Sequence, residues 1–236
     1  MTSFNPNDPP PPLEDLSQHL RSPDLKTRVM AMLELQKESM PAEAAYPLLE
    51  VALNDPAEQV RGMAAFALGI KPVPDSLTTL IHVLEADSDY NVRAMAAGAL
   101  GYLGDRQALD ALSHAFFEDT NWLVQFSAAV ALGNLKDSQA IGALLTALES
   151  DQSLLQEAAV MAIGEIGATD QVERLLDFVA SEDWMMRKRV AEALGNLPSS
   201  QSKSALSYLS RDANSQVAEA AKLALANLME LLELDN

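Results

Sequence analysis

The chain has 236 residues, a formal net charge of −18 and a pI near 4.4. Such acidity repels a phosphate backbone and favours steering of basic partners, so general nucleic-acid binding is not expected. With no cysteine, the chain has no disulfide framework, thiol nucleophile or Cys-ligated metal. No run of about 18 apolar residues is present, so no membrane span is expected. The N-terminus lacks the charged-then-apolar layout of a signal peptide, which leads us to expect a cytoplasmic location.

Residues Met1–Pro12 (MTSFNPNDPPPP) form a Pro-rich arm. It cannot bury apolar surface or build a helix, and is expected to be extended and disordered; a ligand for a Pro-recognising groove is the other reading. Beyond it, one frame recurs. Its fullest copy is Val92-Arg-Ala-Met-Ala-Ala-Gly-Ala-Leu-Gly-Tyr-Leu-Gly-Asp105, and it reopens at Val60, Val124, Leu155, Met186 and Val217, and more weakly at Thr27. The copies are 31 to 33 residues apart. A steady period with helical patterning inside it predicts an all-α fold: an α-solenoid, a right-handed superhelix of about seven two-helix repeats forming one domain over residues 13–236.

The first helices of the repeats are expected at Leu13–Leu20, Ala42–Leu53, Ser76–Ala86, Gln107–Glu118, Gln139–Glu149, Gln171–Ala180 and Ser202–Ser210. Their apolar residues fall three and four apart, as in Leu77, Leu80, Ile81 and Leu84. The second helices are expected at Leu25–Glu38, Glu58–Ile70, Tyr90–Leu103, Asn121–Leu135, Leu154–Ile166, Trp184–Leu197 and Ser215–Leu234. Asp/Asn/Ser-rich turns before them supply N-caps.

The second helices carry Ala at frame positions five and eight almost throughout, and Gly69, Gly101, Gly133, Gly164 and Gly195 at position ten. Glycine inside a helix costs about 1 kcal/mol of propensity. Its return at one slot predicts a helix crossing too close for a β-carbon. Gln36 and Ala226 replace it in the first and last repeats, as end-capping repeats should differ. Gly104 and Gly167 are expected to close their helices in left-handed conformations. The last helix, running through Leu234, is long enough to cover the open end of the stack.

The frame V-R-x-x-A-A-x-A-L-G-x-L-G-D resembles the HEAT-like repeat of the phycobilisome-lyase type, over about residues 13–234. Its members include E/F-type bilin lyase subunits, NblB-like phycobilisome-degradation proteins and an iron–sulfur-scaffold-associated HEAT-repeat group. The segment Asp119–Leu135 looks most like the last two. The resemblance implies a cyanobacterial protein placed near phycobilisomes at the thylakoid surface. Its partner would be a phycobiliprotein or a cofactor-assembly scaffold, and the only cofactor it suggests is a linear tetrapyrrole. Di-iron deoxyhypusine hydroxylases share the repeat but carry paired His-Glu motifs. Here His19, His82 and His114 are not followed by Glu and no two have ligand spacing, so no metal site is expected.

Two sets of residues stand out in the frame. The first is a polar ladder, with residues six apart in each repeat: Ser22/Arg28, Asp55/Arg61, Asp87/Arg93, Asp119/Gln125, Ser150/Gln156, Ser181/Arg187 and Asp212/Ala218. In HEAT-type stacks such Asp and Arg pair from turn to turn, a structural role. The second is the stripe at frame positions −1, 3, 7 and 11, on the helices that line the concave side of HEAT stacks. It reads Glu58, Gly62, Phe66, Ile70, then Tyr90, Ala94, Gly98, Tyr102, then Trp122, Phe126, Val130, Asn134. It continues as Ser153, Glu157, Met161, Glu165 and turns polar at Trp184, Lys188, Glu192, Asn196.

Phe66, Ile70, Tyr90, Tyr102, Trp122, Phe126, Val130, Met161, Trp184 and Lys188 are the candidate contacts for a partner protein or a bilin; packing between neighbouring helices is the other reading. The basic triplet Arg187-Lys188-Arg189 is a solvated face or a contact for a carboxylate. No P-loop, dinucleotide glycine pattern or Ser-His-Asp order is visible. The expected role is a non-catalytic adaptor. A bilin lyase or chromophore-detaching factor is the alternative, and the enzymatic reading if there is one.

Overall fold

In a computed structural model, residues 12–234 are described, with side chains as far as Leu231. The arm expected at Met1–Pro12 lies, except for Pro12, outside the described residues. The helices cluster into two compact units, divided along the chain between Leu103 and Gly104.

The first unit holds α1 (Leu13–Leu20), α2 (Leu25–Leu35), α3 (Ala42–Ala52), α4 (Glu58–Ile70), α5 (Ser76–Ala86) and α6 (Tyr90–Leu103). They pair as hairpins α1–α2, α3–α4 and α5–α6, and the second helices pack α2 on α4 and α4 on α6. The second unit holds α7 (Leu109–Glu118), α8 (Trp122–Asn134), α9 (Ile141–Leu148), α10 (Ser153–Ile166), α11 (Val172–Leu176), α12 (Trp184–Leu194), α13 (Ser200–Leu209) and α14 (Ser215–Leu234). Its second helices pack in the order α8, α10, α12, α14.

The frame explains the packing. Position nine is Leu35, Leu68, Leu100, Leu132, Ile163 and Leu194, each with no side-chain exposure. Burying one such residue stabilises by roughly 1.5–3 kcal/mol. Position ten sets the approach. A β-carbon built on Gly133 would lie 2.7 Å from Cβ of Ala162, and one on Gly164 would lie 2.8 Å from Cβ of Ala193. Gly195 stands in the same way 2.8 Å from Cβ of Ala224. Each glycine thus meets the position-eight alanine of the following repeat. In the first repeat Gln36 occupies the slot and donates from Nε2 to the Met63 carbonyl at 3.0 Å.

Several boundaries differ from expectation. The first helices of repeats four to six are entered through 3-10 turns at Arg106–Ala108, Ser138–Ala140 and Thr169–Gln171. Asp105 and Asp137 cap the first two by accepting from the Gln107 and Gln139 N–H groups. The helix expected at Gln171–Ala180 is α-helical only over Val172–Leu176. Beyond it Phe178, Val179 and Ser181 donate to carbonyls three residues back, the tighter pattern that often ends a helix. The helices expected to reach Glu38 and Leu197 stop at Leu35 and Leu194.

Side-chain caps precede α2 (Asp24), α8 (Asn121) and α12 (Asp183), whereas Ala57 and Gln152 provide none for α4 and α10. Gly104 (φ +63°) and Gly167 (φ +77°) are left-handed as expected, and Lys136 takes the same conformation (φ +50°) at the equivalent slot. Pro47 lies inside α3, where its missing N–H deprives the Glu43 carbonyl of the usual partner.

Candidate interaction face on the second helices

In the first unit the stripe runs over α4 and α6. Ile70 and Tyr90 are exposed, Tyr102 is 68% exposed and Phe66 is half-buried. The Phe66 and Tyr102 rings meet edge-to-face at 6.2 Å between centroids and 82° between planes. Between the aromatics the stripe is low: Gly62 and Ala94 are buried, and a β-carbon on Gly98 would touch nothing within 4 Å. Met95, one position off the stripe, lays its Cγ 3.6 Å from where a β-carbon on Gly62 would sit.

The stripe also continues onto α2, which the sequence reading passed over. Leu25, Val29 and Leu33 occupy the first three of the four frame positions; Leu25 and Leu33 are exposed and Val29 is half-buried. Counting the frame from Thr27 would have found them.

In the second unit Trp122 is 48% exposed, Val130 and Met161 are exposed, and Phe126 and Trp184 are half-buried. The strip then becomes ionic. Glu157, on α10, has a side chain 12% exposed and lies 3.9 Å from Nε of Arg189 on α12. Burial pushes its carboxyl above the usual range; Asp183 adds to the rise and Arg189 opposes it. The basic triplet is turned to the protein's own carboxylates. Arg187 pairs with Asp212, Lys188 lies 3.6 Å from Glu192, and Arg189 donates to Glu192 at 3.0 Å. The Arg189 Nε itself is buried with no hydrogen-bond partner.

The polar ladder is drawn in hydrogen bonds. Arg28 donates from Nε and Nη2 to the two Asp55 carboxylate oxygens at 2.7 and 3.1 Å, and Arg61 reaches Asp87 at 2.7 and 2.9 Å. Arg187 reaches Asp212 at 2.7 and 3.0 Å. Each guanidinium also donates through Nη1 to the carbonyl six residues back, at Ser22, Asp55 and Ser181 respectively. Arg93 does the same at the Asp87 carbonyl.

Each aspartate also accepts from the backbone two residues on: Asp55 from Ala57, Asp87 from Asp89, Asp119 from Asn121 and Asp212 from Asn214. One bidentate pair and two local bonds tie successive turns together. The hydrogen bond from Arg187 holds the Asp212 carboxyl below its usual range. For Asp87 burial pushes upward, but the Arg61 hydrogen bond, the Asp89 N–H and the nearby guanidiniums outweigh it and leave it lowered.

Two hollows lie away from the stripe. One of about 540 Å³ opens between α3 and α5, lined by Glu50, Asn54, Thr79 and His82. Another of about 550 Å³ lies beside Val179, Tyr208 and Arg211. On the second helices, a smaller hollow of about 320 Å³ lies beside Glu192, Leu223 and Asn227. Among the described residues no group of three or more His, Cys, Asp or Glu is placed to hold a metal ion. None of the described helices is long and apolar enough to cross a membrane.

Helical hairpins stacked through glycine–alanine crossings and stapled by Arg–Asp pairs define an α-solenoid of the HEAT kind. A family model for HEAT repeats matches residues 13–89, 77–159 and 143–226, and the chain belongs to that family. No curated protein matches its sequence.

Among solved structures, the complex of CpcE and CpcF of phycocyanin lyase from Nostoc sp. PCC7120 is similar at 25% identity and a TM-score of 0.61, covering 97% of this chain and 98% of that one. An engineered protein is similar at 25% identity and a TM-score of 0.56, with 92% and 68% covered. Kap121p is similar at 17% identity and a TM-score of 0.69; the match covers 93% of this chain and 27% of Kap121p. At that identity the Kap121p likeness shows the fold alone.

Proposed function

We propose that the chain is a non-catalytic adaptor that grips a partner protein on the apolar faces of its second helices. The observation that carries this reading is the exposure of Tyr102, Trp122, Tyr90, Ile70 and Leu33 along one frame stripe. Aromatic side chains in that state are costly to leave in water and are favoured anchors in interfaces. The Arg–Asp pairs at the turns beside the stripe are already satisfied. The likeness to the CpcE–CpcF complex supports a phycobiliprotein as the partner. A cofactor-assembly scaffold is the other member of the same class.

The second reading is a bilin-holding lyase or chromophore-detaching factor that uses the same stripe. The phycocyanin lyase likeness favours it. None of the hollows described above is lined by Phe66, Trp122 or Phe126, which favours the adaptor, because a linear tetrapyrrole gains most from a site that encloses it. Immobilised protein should retain purified phycocyanin, and a Phe66→Ala/Trp122→Ala/Phe126→Ala variant with intact helicity should not. Added phycocyanobilin should leave its red absorbance unchanged. A red-region shift abolished by Trp122→Ala and Phe126→Ala would move the assignment to the second reading.

A further inference from the structure

On α6, Tyr90 and Tyr102 are separated by twelve residues, which is about 18 Å along a helix axis. Only Ala94 and Gly98 occupy the stripe between them, and Gly62 is their neighbour on α4. The result is a furrow whose floor is made of small residues apart from Met95, which lies over Gly62. Glu58 and Tyr90 stand on one side; Phe66 and Tyr102 stand on the other. Allowing for the tyrosine side chains, its width is on the order of 10 Å, the diameter of an α-helix with its side chains. Met95 lies on the floor, and a thioether adapts to irregular surfaces.

The floor residues Gly62, Ala94 and Gly98 lie inside α4 and α6, where backbone groups bond within their own helices. An extended segment would bring unpaired N–H and C=O groups to a surface with few partners for them. A helix satisfies its own backbone and offers an apolar face instead.

Charge narrows the occupant further. Asp24, Glu58 and Asp89 mark the start of α2, α4 and α6, one carboxylate per repeat on the same edge of the face. Asp24 and Glu58 are exposed. Asp24 accepts from the Thr27 N–H and hydroxyl, and Asp89 from the Asn91 and Val92 N–H groups. A segment lying in the furrow therefore turns one flank toward an anionic edge. A second copy of this chain, with its own net charge of −18, is electrostatically opposed.

We infer that the first unit takes an amphipathic α-helix of a partner, with bulky apolar anchors on one face and Lys or Arg along the flank beside Glu58. This rests on the second-helix stripe being a docking surface, and adds the class of segment it docks.

The test uses the full chain and three fluorescein-labelled 18-residue peptides: a Leu/Lys amphipathic helix, the same helix with Glu for Lys, and a scrambled Leu/Lys sequence. Anisotropy should show the amphipathic Lys peptide binding at least tenfold more tightly than either control, with affinity falling as salt rises. Gly98→Phe fills the furrow at a position with open space, so the fold should survive. It should weaken binding at least tenfold, and so should Glu58→Lys.

Equal binding of the scrambled peptide, or an unchanged affinity in Gly98→Phe, overturns the inference. Self-association that Gly98→Phe abolishes also overturns it, by naming a second copy as the occupant. If the peptides fail while phycocyanin retention still depends on Phe66, Trp122 and Phe126, the helix class alone is lost. If both fail, the docking reading goes as well.

Discussion

Gly69 and Ala99 meet so closely that a β-carbon on residue 69 would lie 2.7 Å from Cβ of Ala99 and 2.8 Å from its Cα. Real β-carbons do not approach backbone in this way, so α4 and α6 would have to part. Gly69→Ala gains about 1 kcal/mol of helix propensity, yet overpacking of a well-packed crossing costs typically 1–3 kcal/mol. We expect a net loss of stability in urea unfolding for Gly69→Ala and Gly133→Ala. Gly98→Ala, in open space, should instead gain up to about 1 kcal/mol. A stabilised Gly69→Ala would contradict the close-crossing explanation of the repeated glycine.

The ladder makes acid stability predictable in sign. Asp87 and Asp212 have lowered pKa values in the fold, so their contribution is present above the unfolded carboxylate pKa of about 3.9. It fades as pH falls through the lower folded values. Asp87→Asn and Asp212→Asn should therefore be less stable than the parent at pH 7, and the gap should close in strong acid. Arg61→Ala leaves Asp87 half-buried without its bidentate donor. A loss of about 1.5–3 kcal/mol is the scale for a hydrogen bond to a charged group.

Glu157 has the opposite sign. Its folded pKa is raised, so it contributes most stability when protonated, below the unfolded value of about 4.3, and loses it as pH rises through the folded value. Glu157→Gln should thus raise the melting temperature at pH 7 and change it little near pH 3. A variant destabilised at pH 7 would show that the Arg189 attraction outweighs the burial.

Lys136 holds φ +50° where Gly104 and Gly167 hold the equivalent left-handed turns. A left-handed residue with a β-carbon costs roughly 1–2 kcal/mol, and the greater freedom of an unfolded glycine offsets part of that. Lys136→Gly should stabilise by up to about 1 kcal/mol in chemical denaturation. Lys136→Val should destabilise by more, because a β-branched side chain suits this region least.

Much of this was legible in the sequence because the frame repeats. The tenth-position glycines, the left-handed Gly104 and Gly167, and the spacing of Asp and Arg all depend on local geometry that recurs every repeat. What escaped was less periodic. The 3-10 turns before α7 and α9 depend on how Asp105 and Asp137 cap them, and the early end of α11 depends on bonds that tighten after Leu176. The α2 part of the stripe was hidden because the first repeat has Thr27 for Val, Glu34 for Ala and Gln36 for Gly. The pairing of Arg189 with Glu157 joins α12 to α10, and no pattern within one repeat signals it.

The central claim is that the exposed second-helix stripe holds a protein. Its most direct test is the dissociation constant for purified phycocyanin, measured by surface plasmon resonance for the parent and for the Phe66→Ala/Trp122→Ala/Phe126→Ala variant at matched helicity. Saturable binding that weakens at least tenfold in the variant is the expected result. Binding of equal strength in both would place the contact elsewhere on the protein, and no binding by either would remove phycocyanin as the partner.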